Sequence, residues 1–328
     1  MSGTPVDVCI PTHRDPKLLE AAIASVRAQT HIDWRLVVGI DREPGDALAV
    51  ALERVARAGG AEVVVGRVGA AANMTRLLRA GDAPYAILLH DDDLWLPTML
   101  ERRVAFLDAH PRAGLVSSTP QHVDGDGRPI RRHRPRLPAG EHGRQTVVSL
   151  LLRRNTFLQS ATLIRRSTFV ATGDWLDHRF PRLFDWEHAL RLALAGPSGY
   201  LTAADVLYRR HPAQMSVDRT ARLAEFDELQ DHLDRLVAER APELRLDPNV
   251  RRRVRARGYL GIALDIVGGE AEGSPLRLVG RAVRIWPRIL LDPGTPAAVL
   301  GAVAGRRLRG VVARLRGRSR TRGWLRGA

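Results

Sequence analysis

The chain has 328 residues, 45% of them hydrophobic and 5% aromatic, so it can bury a substantial core that aliphatic side chains must fill. One cysteine, Cys9, excludes an internal disulfide, and no apolar run is long enough to cross a bilayer. The net charge of +15 is almost all arginine, since Lys17 is the only lysine, and nine arginines lie within residues 301–328.

Apolar segments of strand length alternate with helical segments over the first 120 residues. The strand-like segments are VDVCIP, WRLVVGI, AEVVVG, YAILLH and AGLVSS. Asp15 and Pro16 predict the start of the first helix, as N-cap and first helical residue. This alternation predicts an α/β fold, a mostly parallel sheet with crossover helices, and it places Cys9 in the core.

The later segments are less regular. Residues 121–145 are rich in Gly, Pro and Arg, and we interpret them as a hairpin turn around DGDG that leads into a mobile loop. A helix TVVSLLLRR, a strand SATLIRR, a helix FDWEHALRLALAG and an extended segment YLTAADVLYRRH follow. Beyond about residue 219 the pattern is helical. We therefore divide the chain into an α/β domain at 1–215 and a helical region at 216–328.

Three consecutive aspartates, Asp91, Asp92 and Asp93, directly follow the apolar segment YAILLH. Adjacent carboxylates at a sheet edge repel one another and lose hydration, which destabilises the fold unless a partner neutralises them. A divalent cation is the partner we expect. The alternative is an acidic loop that is simply solvated.

Four polar clusters fall at the ends of predicted elements. They are PTHRDP, IDREPGD, HDDDLW and FDWEH. Parallel strands send the first three clusters to one edge of the sheet, where open α/β folds bind ligands. Acids, a threonine and a helix N-terminus at that edge suit a nucleotide with its phosphates and a metal ion.

These segments together resemble a known family. VDVCIPTHRDPKLLEAAIASVRAQTHIDWRLVVGID, GAAANMTRLL, YAILLHDDDLWLP and FDWEHALRLA are similar, in order and spacing, to family 2 glycosyltransferases of the GT-A fold. The resemblance covers roughly residues 5–215. It implies inverting transfer of a sugar from a nucleotide-diphosphate donor to an acceptor hydroxyl, with Mg²⁺ or Mn²⁺. The acceptor is left open as a glycan, a lipid-linked molecule or a small molecule.

The resemblance assigns donor contacts. Pro11, Thr12 and His13 match the family's first nucleotide-binding turn, Asp41 matches the acid that contacts the base, and Asn73 matches an asparagine that approaches the donor. Each assignment has a structural alternative. The first turn could be an ordinary strand-to-helix turn, Asp41 a loop acid, and Asn73 an amide on the helix surface.

The family's acidic motif commonly reads DxDD, and His90 stands where its first aspartate usually lies. The resemblance implies Asp93 as a direct metal ligand with Asp91 or Asp92 as the second, and we favour Asp91. Asp91 and Asp92 are also expected to contact the donor, with Asp92 nearer the ribose. His90 is open between a spectator, a sugar contact and an extra ligand, and a satisfied strand-end histidine is the favoured interpretation.

An inverting transfer needs a base, because a sugar hydroxyl is too weakly acidic to attack unaided. Asp185 matches the family's catalytic aspartate, and Glu187 is the fallback. The alternative for Asp185 is a helix N-cap. His188 is expected on the helix surface, and Trp186 in the core.

His211 matches a histidine that reaches the diphosphate or the metal in relatives, with Arg209 and Arg210 as helpers. An exposed basic loop is the alternative.

The C-terminal segment predicts where in the cell the protein acts. Residues 296–316 form an apolar arc flanked by arginines on a helical wheel, typical of a basic helix on an anionic membrane, with Trp286 and Trp324 as interfacial anchors. The alternative is a helix packed on the protein's own core, followed by a disordered tail. Without a signal-peptide pattern at the N-terminus, we expect a cytoplasmic protein, peripheral on the inner face of the membrane.

Other functional classes fit less well. The chain lacks the GxGxxG turn of a dehydrogenase and the spaced histidines of a catalytic zinc site. It also lacks the Gly-rich basic loop of a nucleotidyltransferase. The remaining alternative is a noncatalytic GT-A-like module that binds polyanions or membrane through its arginines, with nucleic acid the less expected partner.

Overall fold

The computed structural model describes residues 3–130, 132–173, 179–181, 183–210, 219–267 and 273–304. The chain divides into two compact units. One comprises Met1–Leu151 with Asn155–Gln214, and the other comprises Leu152–Arg154 with Met215–Ala328. The first unit is an α/β domain, as the alternation of strands and helices predicted.

The first unit contains short strands and helices in alternation. Its strands are β1 (Val6–Thr12), β2 (Trp34–Ile40), β3 (Glu62–Val65), β4 (Tyr85–Leu88), β5 (Leu94–Trp95), β6 (Leu115–Ser118), β7 (Gln121–Val123), β8 (Gly140–His142), β9 (Leu163–Arg165), β10 (Ser198–Leu201) and β11 (Val206–Arg209). Its helices are α1 (Pro16–Arg27), α2 (Ala47–Ala58), α3 (Ala70–Arg79), α4 (Met99–Ala109), α5 (Arg144–Leu151), α6 (Arg166–Thr172) and α7 (Phe184–Ala195).

The large sheet has eight strands in the order β3-β2-β1-β4-β9-β6-β10-β8. β1 is parallel to β2 and β4, and β2 is parallel to β3, so one half of the sheet is fully parallel. β9 is antiparallel to both of its neighbours, and β8 is antiparallel to β10. The carboxyl ends of β1, β2 and β4 therefore meet at one edge, which confirms the predicted placement of the first three clusters.

The parallel strands are buried because helices cover both faces of the sheet. Cys9 illustrates this position: it is 0% exposed in the middle of β1, and its thiol lies 3.4 Å from the carbonyl oxygen of Leu77. Burial raises the pKa of the Cys9 thiol to about 12. The predicted core role of Cys9 is confirmed.

Aspartates cap the first two helices. The Asp15 carboxylate accepts hydrogen bonds from the backbone N–H groups of Lys17 and Leu18, and Pro16 is the first helical residue, as predicted. Asp46 caps α2 in the same way. These caps place the helix starts close to the strand ends, so the connecting loops at the sheet edge are short.

The segment 121–145 differs in part from its prediction. The DGDG turn is confirmed, since the Asp124 carboxylate accepts hydrogen bonds from the N–H groups of Asp126 and Arg128. The remainder is not simply a loop, because β7 and β8 lie within the segment. β7 pairs with β11 in a three-stranded sheet of order β5-β11-β7, and β8 pairs with β10. Three-residue strands held by distant partners carry no local periodicity.

A buried ion pair ties α4 to the segment before β11. Arg103 is 0% exposed, and its guanidinium donates to both carboxylate oxygens of Asp205 at 3.1 Å. It also donates to the Ala161 carbonyl at 3.1 Å and to the Ser118 hydroxyl at 2.7 Å. All these partners lose their donor together if Arg103 is removed.

We expect Arg103→Met to lower the free energy of unfolding by about 3–5 kcal/mol, because it leaves the Asp205 carboxylate buried without a counter-charge. Urea denaturation measures the change, with Arg102→Met, at an exposed position of the same helix, as the matched control. Equal stability of the two variants would contradict the prediction.

The described part of the second unit is helical. Its elements are α8 (Arg219–Arg240), α9 (Pro248–Val267), α10 (Pro275–Ile285), a 3-10 helix (Pro287–Leu291) and α11 (Gly294–Ala304). α9, α10 and α11 share an apolar core that includes Tyr259, Ala282 and Ala298. Only the first part of the predicted 296–316 helix is described; the remainder, with Trp324, lies outside the described residues. No described helix combines the length and the apolarity that crossing a membrane requires.

Candidate active site

The three aspartates lie in a turn directly after β4. The N–H of Asp93 donates to the His90 carbonyl at 3.0 Å, and the N–H of His90 donates to the Ser160 hydroxyl at 3.1 Å. Asp91, Asp92 and Asp93 are only 8%, 9% and 0% exposed. The alternative of a solvated acidic loop is therefore wrong, and the crowded carboxylates need neutralisation within the fold.

Asp93 is the most enclosed of the three. One carboxylate oxygen accepts the Ser160 hydroxyl at 2.6 Å, and the other accepts the backbone N–H of Arg209 at 3.3 Å. Burial, together with the negative charge of Asp92, raises the pKa of Asp93 to about 7. A nearby cation would relieve the same unfavourable energy.

Asp91 points to a different partner. Its carboxylate accepts the Thr12 hydroxyl at 2.6 Å, and Thr12 is 2% exposed at the end of β1. Burial raises the pKa of Asp91, and the Thr12 hydrogen bond opposes that rise. Asp91 therefore connects the aspartate turn to the first predicted nucleotide-binding turn.

A group suited to a divalent cation is formed by His90, Asp92 and Asp93, whose ligand atoms all lie within 4.8 Å of one another. Carboxylate oxygens and an imidazole nitrogen suit Mg²⁺ or Mn²⁺, and Mn²⁺ tolerates the nitrogen more readily. Asp91 lies outside this group and accepts the Thr12 hydroxyl, and its pairing with Asp93 as ligand stays a prediction. The residues present fit a cation.

His90 is held by a second residue. Its Nε2 lies 2.6 Å from the Gln159 side-chain oxygen. With Nε2–H donated to Gln159, Nδ1 keeps the lone pair that a ligand needs, and such a partner orients metal-binding histidines generally. Burial alone lowers the pKa of His90, but the charges of Asp93 and Asp92 outweigh it and raise the pKa. His90 is thus a satisfied strand-end histidine that also belongs to the cation group.

Asp185 occupies the second position of α7. Leu183 is the N-cap residue and no side chain caps the helix, so the N-cap alternative for Asp185 is wrong. One Asp185 carboxylate oxygen accepts the Asn155 amide at 2.7 Å, and the other accepts the N–H of Trp186 at 2.9 Å. These two donors fix the orientation of the carboxylate.

A small cavity adjoins Asp185. Asp185, Gln159 and His188 line it together with apolar side chains of β4, β9 and α7. Gln159 also holds His90, and the Gln159 side-chain nitrogen is buried without a hydrogen-bond partner among the described residues. Gln159 therefore lines the cavity beside the candidate base and also holds one residue of the candidate cation group.

The neighbours of Asp185 have structural contacts. Glu187 is 0% exposed and lies in an ion pair with Arg191 at 2.7 Å, which makes it less suited than Asp185 to accept a proton. Trp186 is buried, as predicted, and its indole N–H donates to the Leu151 carbonyl at 2.7 Å. The prediction that His188 lies on the surface is wrong: it is 1% exposed and packs edge-on against Phe169, because α7 is covered on nearly all sides.

The burial of His188 predicts a pH effect on stability. Burial, with the nearby charge of Arg191, lowers the pKa of His188 well below its ordinary value. The unfolded chain therefore takes up a proton first as the pH falls below about 6.5, and this protonation favours unfolding. The His188 contribution is complete above that pH and is lost progressively below it.

When the pH is lowered from 7.5 to 5.5, we expect the free energy of unfolding of His188→Leu to fall by about 1 kcal/mol less than that of the natural chain. Urea denaturation at the two pH values measures the difference, and His142→Gln serves as the control. Parallel losses in all three proteins would show that His188 does not set this dependence.

The predicted donor contacts gather at the same edge of the sheet. The N–H of Asp41 donates to the Thr12 carbonyl at 2.9 Å, which joins the ends of β1 and β2. One Asp41 carboxylate oxygen accepts the N–H groups of Val68 and Gly69 at 2.7 and 2.9 Å, so Asp41 shapes the loop before α3. Pro11 lies within β1, beside Gly39 of β2.

His13 is partly buried in the turn after β1. Burial and the charge of Arg14 lower the pKa of His13, and its carbonyl accepts Arg42 at 3.1 Å.

Asn73 is 1% exposed, so the alternative of a helix-surface amide is wrong. Its nitrogen donates to the Gly39 carbonyl at 2.9 Å, and its oxygen accepts Arg76 Nε at 2.8 Å. Arg76 in turn donates to the Ile40 and Gly66 carbonyls at 3.2 and 3.1 Å. Asn73 therefore positions a cationic side chain beyond the ends of β2 and β3.

Sequence reasoning missed four side chains of the site, namely Arg76, Asn155, Gln159 and Ser160. The available signal was polarity inside apolar segments, since NTFLQSATLI places five polar residues among apolar ones. Arg76 follows Asn73 by three residues, a spacing that puts both on one helix face.

His211 lies outside the described residues, so its predicted contact with diphosphate or metal stays a prediction. Arg209, two residues before it, lies at the site, because the N–H of Arg209 donates to Asp93. The Arg210 guanidinium lies 5.7 Å from the centre of the Tyr208 ring.

The sheet order and the acidic turn at its parallel edge define an α/β protein of the GT-A class. The model of the family described as glycosyl transferase family 2 matches residues 7–175, more than half of the chain. The chain belongs to this family.

Solved structures share the fold. Staphylococcus aureus TarS 1–349 in complex with UDP-GlcNAc is 14% identical over 90% of this chain and 87% of that chain, with a TM-score of 0.57. The mannosyltransferase PcManGT from Pyrobaculum calidifontis, in complex with GDP-Man and Mn²⁺, is 16% identical over 98% and 88%, with a TM-score of 0.54. In a longer TarS structure the match covers 86% of this chain but only 53% of that chain. A search of curated proteins found no match.

Proposed function

We propose that this protein transfers a sugar from a nucleotide-diphosphate donor to an acceptor hydroxyl with inversion, using Asp185 as the base and a cation held by His90, Asp92 and Asp93. The observation that carries the proposal is the position of Gln159. Its side chain lines the cavity next to the oriented Asp185 carboxylate, and its oxygen holds His90 of the cation group. A base and a diphosphate site must face the same small volume in such a transfer.

The donor lies, in this proposal, along the edge formed by Pro11, Thr12, His13 and Asp41. The aligned structures contain nucleotide sugars, UDP-GlcNAc in TarS and GDP-Man in the mannosyltransferase, which supports a donor of this class. Asn73 acts through Arg76, whose guanidinium offers positive charge beyond β2. His211 completes the diphosphate contact.

The cation is Mg²⁺ or Mn²⁺. When bound, it neutralises negative charge on the departing nucleotide diphosphate. Asp93 and Asp92 supply carboxylate oxygens, His90 supplies a nitrogen, and Gln159 holds the imidazole in the required tautomer. Asp91 holds Thr12 and so keeps the donor turn against the ligands. Asp92 is the carboxylate nearer the ribose.

Asp185 takes the proton from the acceptor hydroxyl while that oxygen forms a bond to the anomeric carbon. The bond from this carbon to the diphosphate oxygen breaks on the opposite side, so configuration inverts. Asn155 keeps one Asp185 oxygen occupied at 2.7 Å and thereby directs the carboxylate. A positioned base of this kind contributes about 10²- to 10⁴-fold to rate.

The acceptor is a glycan, a lipid-linked molecule or a small molecule bearing a hydroxyl. Trp286 and the exposed Leu290 and Leu291 support peripheral contact with an anionic membrane, consistent with a cytoplasmic enzyme at the inner face. The arginine tail that prompted this proposal lies outside the described residues.

Thermal-shift measurements against a panel of UDP-, GDP- and other nucleotide sugars with Mn²⁺ test the function, because a bound donor raises Tm by mass action. We expect one donor to give a shift that depends on Mn²⁺, and that donor to be consumed with a suitable acceptor. If no donor shifts Tm, and salt-sensitive polyanion binding persists with both Asp93→Asn and Asp185→Asn, the noncatalytic module is the better description.

A further inference from the structure

The second unit contains a group of arginines that its acids do not match. Arg253 and Arg257 are four residues apart on α9 and so share a helix face. Arg153 belongs to the same unit through Leu152–Arg154, and its charge acts on Arg253. The carboxylate beside this group is Asp292, which lies 3.1 Å from Arg257.

Asp292 is already shared. Its second carboxylate oxygen accepts the N–H of Gly294 at 3.0 Å, at the start of α11. The N-terminus of an α-helix carries a positive partial charge of about half an elementary charge. The Asp292 carboxylate is therefore already occupied by the Arg257 guanidinium and by the N-terminus of α11.

One buried donor atom in this group lacks an acceptor among the described residues. Arg257 Nε is buried and has no hydrogen-bond partner among the described residues. The Arg253 guanidinium lies over the Trp286 ring, 5.7 Å from its centre. Burial lowers the pKa of Arg253, and the positive charges of Arg257 and Arg153 lower it further, although Asp292 opposes them. Arg253 and Arg257 thus bring two positive charges together at partly buried positions, next to the exposed Arg153.

Three other arginines of this unit lie in ion pairs with aspartates. Arg251 lies 2.7 Å from Asp234, and Arg255 lies 2.6 Å from Asp231 and 2.8 Å from Asp234. Arg281 lies 2.6 Å from Asp227. Asp227, Asp231 and Asp234 are thus taken up by other arginines, whereas Arg253 and Arg257 have Asp292 beside them.

We propose that Arg153, Arg253 and Arg257 form a binding site for a phosphate group, separate in its residues from the transfer site. Guanidinium groups match phosphate oxygens with paired N–H donors, and a dianion supplies the charge that Asp292 cannot. The face of Trp286 provides an apolar wall beside the anion. The ligand is a phosphate-bearing molecule, either soluble or a phospholipid headgroup.

Calorimetric titration of the full chain with inorganic phosphate at low salt tests the site. We expect the double variant Arg253→Gln/Arg257→Gln to bind phosphate at least about tenfold more weakly, since each charged hydrogen bond contributes substantially. Arg252→Gln, exposed on the same helix, is the matched control and should bind as the natural chain does.

Asp292→Asn keeps the test decisive if the double variant folds poorly. Removal of the competing carboxylate should tighten phosphate binding, the opposite of a general loss of structure. Phosphate affinity that is unchanged in both the double variant and Asp292→Asn overturns the proposal, as does the absence of binding to the natural chain.

Two further arms identify the source of the phosphate. Co-sedimentation with phosphatidylcholine vesicles containing phosphatidylglycerol that weakens in the double variant indicates a lipid headgroup. Vesicle binding that is identical in the double variant, together with weakened inorganic phosphate binding, indicates a soluble ligand. The second result still supports the site and leaves membrane contact to other residues.

Discussion

Replacement of Asp185 by asparagine is expected to lower kcat about 10²- to 10⁴-fold, because the amide cannot accept the acceptor's proton. The substitution preserves shape, so the Asn155 contact can be kept by an amide oxygen. Donor affinity should change little, since the proposed donor contacts lie at the strand ends. Single-turnover rates and donor Kd, measured separately, distinguish loss of the base from loss of binding.

Glu187→Gln is the matched control on the same helix turn. Glu187 is held by Arg191, so this change should lower stability more than it lowers the rate of transfer. The proposed roles are reversed if Glu187→Gln abolishes transfer in folded protein while Asp185→Asn remains active.

Asp93→Asn is expected to weaken Mn²⁺ binding by more than about 100-fold, because loss of a direct ligand should exceed the 10–100-fold cost typical of outer-shell changes. The substitution removes one of two carboxylates from the cation group and leaves an acceptor for the Ser160 hydroxyl. Binding is measured by electron paramagnetic resonance of free Mn²⁺, which needs no turnover.

Asp91→Asn distinguishes a cation group of His90, Asp92 and Asp93 from one in which Asp91 pairs with Asp93. Asp91 binds Thr12 and lies outside the cation group, so its variant should keep Mn²⁺ affinity within a few-fold of the natural chain. Weak Mn²⁺ binding by Asp91→Asn together with normal binding by Asp93→Asn would restore the pairing first expected from the sequence.

Much of the fold was predictable because its signals are local. The apolar segments around Cys9 and Leu88 are strands because only burial on both sheet faces accommodates them. Asp15 and Pro16 mark a helix start through their own backbone chemistry. β7 and β8 were not predicted, since three-residue strands exist only through pairing with β11 and β10.

The site was predicted less completely. The acidic turn after β4 was found, because chain topology brings parallel strand ends together. Gln159 and Asn155 were missed, because each acts on a residue far along the chain, and no local pattern reports such a partner. The prediction for His188 was wrong because α7 is covered on nearly all sides, so that even its polar residues are buried.

The sequence by itself determined the α/β class, the edge that carries the site, and the carboxylates available there, because periodicity and strand order are properties of the chain. Only the tertiary structure decided that His90 and Asp92 join Asp93 while Asp91 turns to Thr12. Neighbouring residues in one turn point in different directions, and the partners that select each direction come from distant strands and loops.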